Sequence, residues 1–270
     1  MKKIKNLKLL LLIFILSCIA LGIAIIQMIH WHLSSLQITK QEEEILNSVT
    51  IQEKKDTEQT ATIDTNSISD SDPYWDYIHM NLIDVNLENL KQINQDTVGW
   101  IQVPETNINY PFVQTDNNDY YLTHSFNHST NIAGWVFLDY RNQLNEKNKN
   151  LILYAHGRLD HTMFGTLKNI LSSNWLNDTS NHVIKLSTEH ENTLWQVFSV
   201  YHIPTTSDYL LTNFQDTQSF MEFAQKLLDR SLYNFETTIQ ETDQILTLST
   251  CYNQNEKMVL HAKLIKWEEK

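Results

Sequence analysis

Apolar residues fill one unbroken uncharged run near the start of the chain, residues 9–29, and Lys2, Lys3, Lys5 and Lys8 precede it. A helix of that length crosses the ~30 Å hydrocarbon core of a bilayer. Basic residues stay on the cytoplasmic side. The pattern predicts a cytoplasmic tail over 1–8, a transmembrane anchor over 9–29 and an extracellular remainder: a single-pass protein of the cell membrane. A cleaved signal peptide is the competing reading. Its apolar core usually runs only ~7–15 residues, and His30, Trp31 and His32 offer no small-residue cleavage site.

Residues 30–72 are polar, with Glu42, Glu43, Glu44, Lys54 and Lys55 among many Thr, Ser and Asp. They read as an extracellular stalk or linker, helical first and loose later. Order is expected from residue 73 to 270. In 74–94, Leu82, Val85, Leu90 and Ile93 recur at near-helical spacing, predicting one or two helices. From Gly99 the texture changes to short runs rich in Val, Ile, Tyr and Trp between Asn, Asp and Pro turns. These predict strands at 100–103, 108–113, 134–138, 151–155, 182–186, 194–202, 245–250 and 258–265. Within that series, residues 217–233 put Phe220, Phe223, Ala224, Leu227 and Leu228 on one face, an amphipathic helix inserted late. So many short strands point to a mostly β fold, a closed barrel or a sandwich.

Charge narrows the function. The chain has 32 acidic and 20 basic residues, a formal net charge of -12. It has no basic excess to neutralise phosphates, so no nucleic-acid partner is expected. Five glycines, none in a phosphate-cradling loop, argue against nucleotide binding. His156 and His161 lack a third framed ligand, so no metal and no cofactor are expected.

Of two cysteines, Cys18 lies in the anchor and Cys251 follows the strand 245–250, so no internal disulfide is expected. A lone thiol is most often an inert core residue. Cys251, however, ends a strand at a polar turn, where a rigid backbone exposes a nucleophile to substrate. A free thiol has a pKa of ~8.5 and needs a base or cation beside it. Among eleven histidines, His156 ends the apolar run 151–155 and precedes Gly157, which ranks it ahead of His261 as the partner. Negative charge on an attacked carbonyl needs a donor as well. Lys257 is the cation nearest to Cys251 in sequence; read from the pattern alone it is a solvated turn lysine.

Thr247-Leu248-Ser249-Thr250-Cys251 resembles the T-L-x-T-C signature of sortases. Tyr154-Ala155-His156 followed by Thr162-Met163-Phe164-Gly165 resembles the histidine segment of class B sortases. Gly99-Trp100-Ile101, Asn118-Asp119-Tyr120-Tyr121-Leu122 and Leu138-Asp139-Tyr140-Arg141-Asn142 are similar to further class B segments, and the helix 217–233 stands where class B enzymes insert one. The resemblance spans roughly residues 87–267. It implies an eight-stranded sortase-type β-barrel with N-terminal helices, and a cysteine transpeptidase that cleaves C-terminal sorting signals. A thioacyl enzyme would form at Cys251 and pass to a cell-wall peptide amine or a pilin lysine, with His156 as general acid and then base. Asn118, Leu122, Thr205, Tyr209, Leu210 and Ser249 match positions that line the signal groove. Implied partners are sorting-signal-bearing surface proteins, the acceptor amine and, through the N-terminal helix, the lipid bilayer.

One position departs from the family: Lys257 stands where sortases have arginine, which offers a planar fork rather than a point charge. Either Lys257 serves the oxyanion less well, or Arg158 substitutes, or the enzyme is slow; the first is preferred. A hydrolytic cysteine peptidase and a membrane-tethered, weakly active or inactive sortase-fold binding protein are the alternatives.

Overall fold

The computed structural model describes residues 2–65, 68–146, 148–253 and 255–270, with side chains from Lys8 onward. A long helix, α1 (Lys2–Ser48), leads into β1 (Ile51–Lys54), β2 (Ala61–Thr62), α2 (Tyr74–Tyr77), β3 (Leu82–Val85) and α3 (Glu88–Ile93). There follow β4 (Thr97–Gln102), β5 (Asn109–Val113), β6 (Phe137–Leu138), β7 (Asn150–Tyr154), α4 (Ser173–Asn177) and β8 (Val183–Thr188). The chain ends with β9 (Glu191–Pro204), α5 (Thr217–Asp229), β10 (Ile245–Cys251) and β11 (Glu256–Glu269).

Strands β4 to β11 close on themselves in the order β10-β7-β6-β5-β4-β8-β9-β11, with β11 returning to β10. This is the eight-stranded barrel that the resemblance implied. Pairing is antiparallel except for β7 with β10 and β5 with β6, which run parallel. Closure gives every barrel strand a neighbour on both sides. β2 adds to β11 outside the ring, and β1 pairs with β3 as a separate ribbon.

Side-chain alternation divides inside from outside. Leu151, Leu153, Leu246, Leu248 and Leu260 fill the interior with Trp100, Phe112 and Trp195. Ile245, Val259, Phe198 and Tyr201 point outward against Phe220, Phe223, Ala224 and Leu227 of α5. Helix α5 starts at a capping box, in which Ser219 N–H donates to the Asp216 carboxylate and Asp216 N–H donates to the Ser219 hydroxyl. It ends at Asp229, short of the expected 233. Leu232 N–H donates to Val200 C=O, and Ser231 accepts from Val200 N–H. The β9 backbone past the end of β8 thus draws the chain out of the helix.

Two further expectations need correction. Residues 82–85, read as helical, form β3, because Ile51↔Val85 through Lys54↔Leu82 register the segment against β1. The strand expected from 134 is reduced to Phe137–Leu138, because Gly134 takes a left-handed φ of 62° in a turn. A Cβ there would also lie 2.4 Å from Tyr121 O.

Residues 31–48 do not stand clear of the barrel. Along α1 the positions Trp31, Ser34, Ser35, Ile38, Glu42 and Ile45 recur at helical spacing and form one seam. Ile38 and Ile45 are buried in the main core. Trp31 stacks on the Arg158 guanidinium, 5.6 Å from its ring centre. Ser34 donates to Asn131, Ser35 to Asp160 at 2.6 Å, and Tyr110 donates to Glu42 at 3.0 Å.

Candidate active site

Parallel pairing of β7 with β10 places the two chemically interesting strand ends side by side. The last registered pair is Ser249↔Tyr154. Beyond it the chains stay in contact: Thr250 Oγ1 donates to Ala155 C=O at 2.7 Å. A Cβ on Gly157 would lie 2.1 Å from the carbonyl oxygen of Cys251, so only glycine fits there. Leu248 and Leu246 face inward, so Ser249 and Cys251 face outward. Leu153 and Ala155 pack in the core, and His156 stands two residues past the end of β7. Register thus brings Cys251 and the segment that carries His156 to the same end of the barrel.

Cys251 is exposed and faces Lys257 directly across the β10–β11 hairpin. The Lys257 ammonium reaches its sulfur, with Nζ 3.2 Å from Sγ. The hairpin lysine, which the pattern of residues alone read as a solvated turn residue, thus lies beside the thiol. His156 is half-buried. Its Nε2–H donates to Leu122 C=O at 2.8 Å, since a carbonyl can only accept. That bond orients the ring and engages Nε2 rather than Nδ1. Gly134 lies beneath the ring; a Cβ there would come 3.1 Å from His156 Cδ2.

The signature around Cys251 has a physical content in each residue. Thr247 Oγ1 bonds Asn150 Oδ1 at 2.7 Å and His261 Nδ1 at 2.9 Å. Ser249 pairs with the Tyr209 hydroxyl at 2.9 Å. Thr250 clamps Ala155. His261, the second histidine considered for Cys251, is fully buried and held by Tyr201 and Thr247. Burial, with Arg230 nearby, pushes its pKa down to about 3. It is a neutral core residue.

Of the positions expected to line the groove, two bond each other and the rest bond neighbours outside the set. Tyr209 and Ser249 bond each other. Leu122 holds His156 through its carbonyl. Thr205 bonds Asn255 C=O through its N–H at 2.9 Å, beside the hairpin turn. Asn118 donates to Asp139 at 3.0 Å, and Arg141, also on Asp139, donates to Leu210 C=O at 3.0 Å. Asp139 further accepts from the Tyr154 hydroxyl at 2.9 Å. Burial works against its charge, but Arg141 and Tyr154 outweigh it and hold the carboxyl below its usual range. Asp139 is thus a hub that sequence reasoning left without a role, although it stands in one of the segments similar to class B enzymes.

Arg158, the possible stand-in for the family arginine, is otherwise engaged. It is buried, bonds Asp160 at 2.6 Å and Thr162 at 3.1 Å, and carries Trp31 on its face. A surface cavity of about 660 Å³ is lined by residues such as Gln114, Tyr140, Leu144 and Glu189 and includes none of Cys251, His156 or Lys257.

Residues 101–265 match the family model of the sortase domain. The chain is 34% identical over 192 residues to sortase B of Staphylococcus aureus, covering 70% of this chain and 78% of that one. It is 33% identical over 183 residues to sortase B of Listeria monocytogenes, covering 66% and 74%. Among solved structures, Bacillus anthracis sortase B in complex with AAEK1 superposes with a TM-score of 0.62 at 39% identity, over 67% of this chain and 84% of that one. A Staphylococcus aureus sortase B–substrate complex superposes with a TM-score of 0.62 at 34% identity, over 67% and 84%.

Proposed function

Because the chain belongs to the sortase B family of cysteine transpeptidases, we propose that Cys251 is its nucleophile, His156 its proton carrier and Lys257 the cation that meets the developing oxyanion. The protein acts on the sorting signals of surface proteins and joins them to amines. The observation that carries the residue assignment is the parallel β7–β10 register, with Gly157 packed on the Cys251 carbonyl.

The thiolate of Cys251 attacks the carbonyl carbon of the scissile Thr–Gly-type bond. The C–N bond breaks, and His156 gives its proton from Nδ1 to the leaving amine while a thioester remains on sulfur. The incoming amine then attacks the thioester, the C–S bond breaks, and Nδ1 takes the proton back. Lys257, across the hairpin, offers its ammonium to the charge on the carbonyl oxygen. Asn118, Leu122, Thr205, Tyr209, Leu210 and Ser249 border the route by which the signal peptide lies along β7 and β10. The acceptor is a cell-wall peptide amine or a pilin lysine. A sortase B has been solved in complex with triglycine, so triglycine is the first amine to try.

The apolar part of α1 is long enough to cross a membrane, which supports a membrane-anchored protein. We place residues 1–8 in the cytoplasm, 9–29 in the bilayer, 30–72 as the connecting segment and 73–270 as the extracellular catalytic domain.

The test is single-turnover acylation with a library of pentapeptide signals, followed by addition of triglycine or a diaminopimelate peptide. A thioester detected by mass on the wild type, absent from Cys251→Ala and His156→Ala and resolved to a ligated product, is the expected result. Release of free acid alone would make the protein a peptidase, and no thioester with any signal would leave only a binding module.

A further inference from the structure

The chain carries no Asp, Glu, Lys or Arg between Lys8 and Lys40, a stretch of 31 residues that lies wholly inside α1. At ~1.5 Å per residue that helix spans ~46 Å, which matches the ~40–45 Å of a bilayer with its headgroups rather than the ~30 Å hydrocarbon core alone. The segment just past the apolar run 9–29 therefore lies at headgroup level, not in open solvent. Its side chains agree: Leu33 and Leu36, turned away from the barrel, are 59% and 55% exposed. Trp31 is the aromatic type that sits at this depth.

The barrel is docked on that same segment. Trp31 lies on Arg158, Ser34 bonds Asn131, Ser35 bonds Asp160, and Gln37 donates to Ser129 at 3.1 Å. Two loops, around 129–132 and 158–160, thus grip α1 within about two turns of the end of the apolar run. Each presents a large apolar side chain without cover. Leu159 is 79% exposed and Ile132 45% exposed. Between them the charged members of the loops are turned inward: Arg158 is buried and paired with Asp160. Burial works against the Asp160 charge, but Arg158, Ser35 and Thr162 outweigh it and hold the carboxyl below its usual range. A loop that hides its ion pair and shows its leucine is suited to a lipid surface.

We propose that the barrel itself contacts the outer leaflet through Leu159 and Ile132, so that the end of β7 carrying His156 lies against the membrane. The inference rests on the anchor reading of residues 9–29 and adds a second contact to it. A leucine side chain gains enough on leaving water to favour lipid by tenfold or more. The docked helix fixes the height at which that gain is realised. The catalytic rim, three residues before Leu159, then faces substrates that are themselves held at the membrane over a short span.

The experiment uses the full chain in vesicles of equal parts phosphatidylcholine and phosphatidylglycerol. A benzophenone-bearing residue replaces Leu159, Ile132, Leu21 within the anchor, or Leu232, an exposed leucine beyond α5. After illumination, lipid adducts are counted by mass spectrometry. Leu159 and Ile132 are expected to give lipid adducts at a level near that of Leu21 and roughly tenfold above that of Leu232. Adducts at Leu21 with none at Leu159 and Ile132 would overturn the contact while leaving the anchor intact. Adducts to a second protein chain at Leu159 would overturn it in favour of self-association. Absence of adducts at Leu21 would remove the anchor and the proposal together. None of these readouts depends on transpeptidase activity.

Discussion

Cys251 and His156 are placed by backbone, whereas Arg158, two residues on, is placed by side chains. The proposed catalytic rim depends on the β7–β10 register, on Gly157 against the Cys251 carbonyl and on the direct Cys251↔Lys257 pairing. The α1 seam depends on Trp31, Ser34, Ser35 and Glu42 reaching Arg158, Asn131, Asp160 and Tyr110. Register is set by a whole ladder and tolerates little motion. A seam of polar contacts can be loosened one group at a time, and one of its groups titrates near neutrality. The two regions share the loop that follows β7, so the fold joins a register-fixed rim, the proposed reaction centre, to a conditional attachment.

The sharpest way to break this contrast is Gly157→Ala. The added methyl must push the loop from the Cys251 carbonyl, and a displacement of ~1 Å at reacting groups costs about 10²-fold in rate. Acylation by a sorting peptide should fall by that order while far-ultraviolet circular dichroism stays unchanged. Wild-type acylation would mean that backbone packing does not set the site.

Lys257 comes next. Lys257→Ala should lower kcat/KM for acylation by about tenfold to a hundredfold, at or below the loss from a preorganised oxyanion donor. The partly exposed ammonium is less firmly held than such a donor. Lys257→Arg should retain activity or raise it, since the fork adds a second donor. If both variants acylate like the wild type, Lys257 has no part in the chemistry.

The smallest effect belongs to the seam. Burial raises the Glu42 carboxyl to about 7, against the lowering effect of the Tyr110 hydroxyl, with Asp160 adding to the rise. Between its usual value and about 7 the unfolded chain releases a proton that the folded one keeps. Stability is therefore full below that window and falls as the pH rises through it. The loss amounts to at most ~3 kcal/mol. Glu42→Gln should abolish this slope in thermal melts of the full chain in detergent, and leave acylation by the rim unaltered. An unchanged slope would show that Glu42 is solvated and the seam unconditional.

Much of the proposed site can be read from the sequence because its signals are local. Cys251 closes a run of strand-forming residues, His156 closes another, and each is followed by a turn. The late helix showed in the spacing of Phe220, Phe223, Ala224 and Leu227, although its end at Asp229 did not, because the backbone of β9 decides where it stops. The α1 seam left a trace that went unread: Trp31, Ile38 and Ile45 recur at heptad spacing inside a segment that looks polar throughout. Lys257 was ambiguous, since a turn lysine and a catalytic lysine have the same surroundings in sequence.

By itself the sequence determined the membrane-length apolar run, the number and order of barrel strands, and the residues able to act as nucleophile and proton carrier. These follow from side-chain periodicity and from chemistry that one residue carries alone. The tertiary structure decided that β7 and β10 run parallel as neighbours, that Lys257 points at the sulfur, that Arg158 is committed to Asp160 and Trp31, and that residues 31–48 lie on the barrel. Each of those is a pairing between positions distant in the chain. Its free energy comes from contacts that exist only once the barrel has closed, so no local pattern encodes it.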